Sequence, residues 1–335
     1  MNRRLVSWSW LVALGLLAFP FRAPAPLVYR PGEGWTYEPV GGEGKWVRAR
    51  AKDQLEVAQG AFDQKDYSLA LKAARRVVRA WALSDYAPAA QYLVGRCYEA
   101  RGQTEKAFNE YQRLLDKQPK IASYQEILRR QFQIANLYLA GKWFRLWGYI
   151  PRPPSAARTA EMYEKIVKNG PYSDVAPEAQ LNLGAAREKQ KDFPAAAKAF
   201  EVAADRYHDQ PKIAAEALYR EGVAYNKQAL KADYDQSTAG QAIAAFSDFL
   251  TLYPNDARVS QATNAIASLK REQARGFLQI AKFYEQARFY PQAARWKGAR
   301  TYYNEAKNLD PSSAYAEQAR QRIDALNKLL RETNQ

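Results

Sequence analysis

Cysteine and histidine are nearly absent from this chain: Cys97 and His208 are the single examples in 335 residues. One cysteine cannot close an intramolecular disulfide, and one thiol with one imidazole is too poor a ligand set for a protein-built zinc site. A Ser-His-Asp or Cys-His centre would have to use His208, which stands where a helix-ending proline usually sits. Cys97 lies beside Gly95 and Tyr98 and reads as a small buried core residue. A phosphate loop is missing too, because Gly41-Gly42-Glu43-Gly44 lacks the following Lys-Ser/Thr that would hold phosphate and magnesium. Acidic pairs such as Glu161/Glu164 and Glu99/Glu105 have helix-surface spacing and read as solvated salt-bridge partners. These absences predict a protein that is not an enzyme and has no cofactor, no metal and no small-molecule substrate.

Charge is abundant and unbalanced. Fifty Lys and Arg against 35 Asp and Glu give +15, a field that favours anionic partners without choosing among them. Arg75, Arg76, Arg79, Arg129, Arg130, Lys189 and Lys191 are dispersed along the sequence, and no aromatic-plus-glycine RNA-binding motif accompanies them, so nucleic acid is not the expected partner.

The N-terminus reads as an export signal. Arg3 and Arg4 precede a 15-residue apolar run, Leu5 to Phe19, and Ala23 and Ala25 follow as an A-x-A pattern. Residues 1–25 are thus expected to be a signal peptide or, if uncleaved, an N-terminal anchor. Cleavage would remove Arg3, Arg4 and Arg22 and leave +12. Residues 26–46 carry Pro31, Pro39 and five glycines, a composition that opposes helix and regular strand and predicts a linker or extended arm. Its aromatics Tyr29, Trp35, Tyr37 and Trp46 fit either an arm packed on the first helices or a free one.

From Trp46 onward apolar residues recur at helical spacing with almost no β-branched runs, which predicts an all-α chain. Gly95, Tyr98, Ala107, Tyr111, Leu114 and Pro119 have the relative spacing of a helix–turn–helix tetratricopeptide repeat. A small residue recurs on the first helix of each pair at Ala58, Gly95, Ala135, Gly184, Gly222 and Ala281. Its counterpart on the second falls at Ala70, Ala107, Ala160, Ala196, Ala242 and Ala299. Lys65-Asp66, Arg101-Gly102 and Lys191-Asp192 occupy tight turns, and Pro119, Pro171, Pro254 and Pro311 stop second helices. The expected fold is a right-handed α-solenoid of five to six tetratricopeptide-like helix hairpins over 47–330, with a capping helix at 314–330. Each hairpin must bury its apolar face on a neighbour, and the stack leaves a long groove for a partner.

Within the third pair, residues 141–155 form an aromatic, basic, proline-closed insertion. It can fold back and bury Trp143, Phe144 and Trp147, or expose Trp143 and Trp147 as a docking or membrane-touching surface. An extended peptide in the groove would meet first-helix residues: Tyr92, Arg96 and Glu99 in pair two, Arg129, Phe132 and Asn136 in pair three, Tyr219 and Asn226 in pair five. The aromatics among them are equally suited to packing between pairs. Arg96 and Arg129 are the stronger candidates, since a guanidinium clamps a carboxylate or carbonyl through paired hydrogen bonds.

Asp233-Tyr-Asp-Gln-Ser-Thr238, Ala242-Ile-Ala-Ala-Phe-Ser-Asp-Phe-Leu250 with Tyr253-Pro254, Pro171 to Ala179 and Ala281-Lys-Phe-Tyr284 resemble the corresponding repeats of the BamD family. These are tetratricopeptide lipoproteins of the outer-membrane β-barrel assembly machinery. The resemblance implies a periplasmic scaffold at the inner face of the outer membrane. Its partners would be the barrel-forming component and unfolded client segments. Members of that family are held by an acylated cysteine after the signal, whereas here no cysteine precedes Cys97, so lipidation is not predicted. The alternative role for the same repeats is a periplasmic cell-envelope or cell-division coordinator that holds a peptidoglycan-associated partner.

Overall fold

The computed structural model describes residues 27–37, 46–146, 150–230, 236–287 and 292–332. The export segment, residues 38–45 of the arm, Trp147 and the aspartates of the 233–238 stretch lie outside the described residues. The chain divides into two compact units, one ending at Ile121 and the other beginning at Ala122.

The first unit opens with a hairpin, β1 (Leu27–Arg30) and β2 (Gly34–Tyr37), followed by α1 (Ala51–Asp63), α2 (Tyr67–Ala80), α3 (Ala87–Ala100) and α4 (Thr104–Lys117). Each helix packs on the next. The hairpin corrects the expectation that 26–46 would avoid regular strand. The Pro and Gly that argued against a strand make its turn instead. Pro31 and Gly32, with Gly32 at φ 76°, form a turn closed by Glu33 N–H donating to the Arg30 carbonyl at 3.1 Å. Tyr29 then pairs with Trp35 across the strands, ring centroids 5.4 Å apart. This part of the arm is tied down. The Asp85 N–H donates to the Gly32 carbonyl at 2.7 Å, and the buried Glu33 carboxylate accepts from Lys52 N–H at 3.4 Å between Arg30 and Arg50.

The second unit contains α5 (Tyr124–Leu139), a hairpin of β3 (Phe144–Leu146) and β4 (Ile150–Arg152), then α6 (Ala156–Asn169), α7 (Ala176–Lys189) and α8 (Phe193–Arg206). It continues with α9 (Pro211–Ala229), α10 (Gln236–Leu252), α11 (Val259–Gln286), α12 (Gln292–Leu309) and α13 (Ala314–Glu332). Consecutive helices pack pairwise here as well, so both units are all-α stacks of helix hairpins. The four prolines expected to stop helices each lie two positions beyond the ends of α4, α6, α10 and α12.

The tight turns have a common chemistry. Lys65, Gly102, Gly141 and Lys191 take left-handed φ values of 62°, 69°, 103° and 62°. The residue after each donates back to the last turn of the preceding helix, as Asp66 N–H does to the Ala61 carbonyl and Asp192 N–H to that of Arg187. Asp66 and Asp192 then cap the following helix, accepting from Leu69 N–H at 3.0 Å and Ala195 N–H at 3.3 Å. One Lys-Asp dipeptide therefore ends one helix and starts the next.

Every alanine among the twelve small positions is fully buried. The three glycines face rings: a Cβ built on Gly95 or Gly184 would collide with Tyr111 or Phe200, and one on Gly222 would lie 2.7 Å from Phe246. Glycine is thus a socket for an aromatic on the partner helix. Not anticipated was the 28-residue α11. Ala262 and Leu269 join the cluster of Phe246 and Phe249, while Leu278 and Ala281 join that of Trp296 and Tyr303. One helix closes the fifth pair and opens the sixth.

Candidate protein-binding site

The predicted residues assemble into separate cradles, built where first helices meet their partners. In the first unit Gly95 admits the Tyr111 ring, whose hydroxyl donates to Glu99 at 2.7 Å and whose face lies 5.9 Å from Tyr92. The Arg96 guanidinium sits 5.4 Å from the Phe62 ring and 5.9 Å from Tyr92. No carboxylate among the described residues pairs with it. One Arg96 Nη1 N–H donates to the Tyr92 hydroxyl at 3.5 Å, and a cation stacked on an aromatic shelf keeps its remaining in-plane N–H donors for an incoming acceptor.

In the second unit α5 brings Phe132 and Asn136 against α6. Phe132 is buried with its ring 6.2 Å from Tyr163. Asn136 Oδ1 accepts from the Tyr163 hydroxyl at 2.5 Å and from Asn182 Nδ2 at 3.1 Å. Burial pushes the Tyr163 hydroxyl well above its ordinary pKa, so it remains a donor. The amide nitrogen of Asn136 makes no hydrogen bond to a described residue. Side-chain amides on neighbouring helices thus offer a donor and an acceptor suited to an extended backbone. Tyr163 and Asn182 were not identified from sequence; Asn136 follows the small residue Ala135 of its helix, whereas Asn182 precedes Gly184 of its own by two positions, so no shared repeat position linked them.

Other predicted residues stand apart. Arg129 pairs with Asp174 at 2.5 Å, both about half exposed, which consumes the guanidinium on a surface ion pair. The 141–155 insertion divides between its two readings. Phe144 is buried and stacks on Tyr138 at 4.1 Å, whereas Trp143 is 56% exposed. Trp147, the remaining predicted contact, lies outside the described residues. Tyr219 packs against Phe246 and Phe249 and donates to Gln261 at 2.8 Å. Arg258, unnoticed in the sequence, covers it 4.8 Å from the ring and is held by Glu216 and by two 2.8 Å hydrogen bonds to Asp256. That pairing holds the Asp256 carboxyl at about 2, below the usual carboxylate range.

Chemically reactive groups are sequestered or isolated. Cys97 is buried, and burial pushes its thiol up to about 11, so it is a protonated core residue at neutral pH. His208 is exposed beyond α8 and its Nδ1 meets the Asp205 carbonyl at 2.8 Å.

Residues 154–310, spanning α6 to α12, match the sequence model of the YfiO outer membrane lipoprotein family, the BamD family. Residues 55–120 match a tetratricopeptide repeat model. The chain is similar to an outer membrane lipoprotein family. No curated protein matches it. Similar solved structures include the C-terminal part of a tetratricopeptide protein from Cytophaga hutchinsonii, 17% identical over 81% of this chain and 87% of that one, TM-score 0.34. A tetratricopeptide protein from Parabacteroides merdae is 13% identical over 82% and 98%, TM-score 0.33. The PilF protein of Pseudomonas aeruginosa is 14% identical over 81% and 96%, TM-score 0.27. Tetratricopeptide repeats and this lipoprotein family are protein-interaction folds. Among the described residues no helix is long and apolar enough to cross a membrane.

Proposed function

We propose that this is an exported, periplasmic scaffold that acts in outer-membrane β-barrel assembly. It works at the inner face of the outer membrane and holds the barrel-forming component and unfolded client segments. The observation that carries the reading is the family match over 154–310, which includes Tyr163 and Asn182. The chemistry agrees with a backbone-reading surface: the Asn136 and Asn182 amides address an extended strand, and Arg96 on its aromatic shelf addresses a carboxylate or carbonyl. Catalysis has no part in this function.

The test is capture from detergent-solubilised envelopes on immobilised protein. Wild type should retain the barrel-forming assembly component. Asn182→Ala should weaken that capture about tenfold, about 1.4 kcal/mol, with the melting temperature unchanged. Retention only of division or wall-binding proteins would replace this reading with that of an envelope coordinator.

A further inference from the structure

A basic cluster lies on α2 of the first unit. Lys72, Arg75, Arg76 and Arg79 line one cleft of about 600 Å³ with Trp46 and Ala80. Their spacing of i, i+3, i+4 and i+7 on α2 places four cations on one helix face within about two turns. Their clustering corrects the expectation that the basic residues are dispersed. No described carboxylate pairs with any of the four, in a unit where Glu33 and Glu110 are both engaged by arginines. Two of the guanidiniums are fixed on rings. Arg75 lies 5.2 Å from the Tyr98 ring and donates to its hydroxyl, and Arg76 lies 5.5 Å from the Trp81 ring. Arg76 Nε is buried without an acceptor, which an anionic oxygen in the cleft would supply.

The same end of the unit carries an apolar outcrop. Arg79 and Ala80 finish α2, and the loop that follows bonds through Asp85 to Gly32 in the β1–β2 turn. On that hairpin Leu27, Tyr29 and Trp35 are 52%, 59% and 68% exposed, and Leu83 in the loop is 98% exposed. Tyr and Trp beside unpaired cations are the residues that settle at a bilayer interface, where rings enter the headgroup region and charges meet phosphates.

We infer that this end of the first unit docks on an anionic phospholipid surface. Lys72, Arg75, Arg76 and Arg79 hold headgroup phosphates, and Tyr29, Trp35 and Leu27 enter the interface. The site lies outside residues 154–310 and is independent of the protein-binding reading. An acidic peptide would satisfy the charges but would leave the hairpin rings in water, which favours lipid.

Co-sedimentation of the full chain with phosphatidylcholine vesicles, with and without phosphatidylglycerol, tests this. The readout is the ratio of binding to the two, which cancels any contribution of the Leu5–Phe19 run to both. Lys72→Gln/Arg79→Gln should lower the ratio about 30-fold, the effect of two interfacial charges, whereas Lys212→Gln/Lys270→Gln should lower it much less. Tyr29→Ser/Trp35→Ser should weaken binding to both vesicle types. Equal loss in the two charge variants would overturn the inference. So would wild-type binding that ignores phosphatidylglycerol. Displacement by glycerophosphate or polyglutamate at matched charge concentration would also overturn it, reassigning the cleft to a free phosphate or an acidic protein.

Discussion

Gly184→Val is expected to destabilise the second unit by on the order of 3 kcal/mol, while Gly240→Ala stabilises it by about 1 kcal/mol. Both glycines sit inside helices, where propensity alone favours the larger residue. What differs is the space each faces. A Cβ on Gly184 would strike the buried Phe200 ring, and a Cβ on Gly240 meets nothing within 4 Å. Phe200 is fully buried among Ala196, Ala203 and Ala217 and has nowhere to retreat. Urea unfolding of the three proteins reads the signs directly. Gly184→Ala/Phe200→Leu should recover part of the loss caused by Gly184→Ala, because the two side chains share one contact. A destabilised Gly240→Ala, or a Gly184→Val as stable as wild type, would contradict the socket.

The second large effect is on pH dependence. Glu221 on α9 is raised to about 7, first by burial and then by the charges of Glu201, Asp205 and Asp248, with Lys198 opposing. Glu201 and Asp205 belong to α8 and Asp248 to α10, so acidic groups face it from both neighbouring helices. A carboxyl whose folded pKa exceeds its unfolded value of about 4.3 favours folding while protonated. Its contribution is present below about pH 4 and is lost as pH rises through about 7. Glu221→Gln should remove that loss and stabilise the protein at pH 8 by roughly 1–2 kcal/mol, allowing for its partial exposure. Thermal melts of both proteins from pH 4 to 8 test it, and parallel profiles would refute it. Asp256 has the opposite sign. Lowered to about 2 by Arg258, it contributes above about pH 4 and its contribution is lost as pH falls through about 2.

The helical fold was legible because its code is local. A small residue facing a ring, a Lys-Asp or Arg-Gly turn and a proline past a helix end each act within one hairpin, and each was found where the spacing placed it. Features that join distant segments were hidden. The β1–β2 hairpin depends on Gly32 meeting Asp85 and Glu33 meeting Lys52, contacts no local pattern announces. The α11 helix has no proline between Leu269 and Leu278 and runs on through the buried Gly276, so no local stop divides the segment that serves both neighbouring pairs. Arg129 looked available for a ligand because Asp174 lies 45 positions away. Asn136 was recognised but its partners Tyr163 and Asn182 were not, since the insertion 141–155 separates them. Charge misled in the other direction: Arg75, Arg76 and Arg79 read as members of a dispersed basic set, whereas with Lys72 and Trp46 they line one cleft.

The central claim is that function resides in the first-helix faces and not in reactive side chains. Photo-crosslinking in intact cells tests it most directly, with the photoreactive residue at Asn182 beside Asn136 or at the exposed Lys198 on the second helix of the same pair. Crosslinks to a β-barrel assembly component from position 182 and not from 198 are predicted. Equal crosslinking from both positions, or crosslinks from 198 alone, would contradict it.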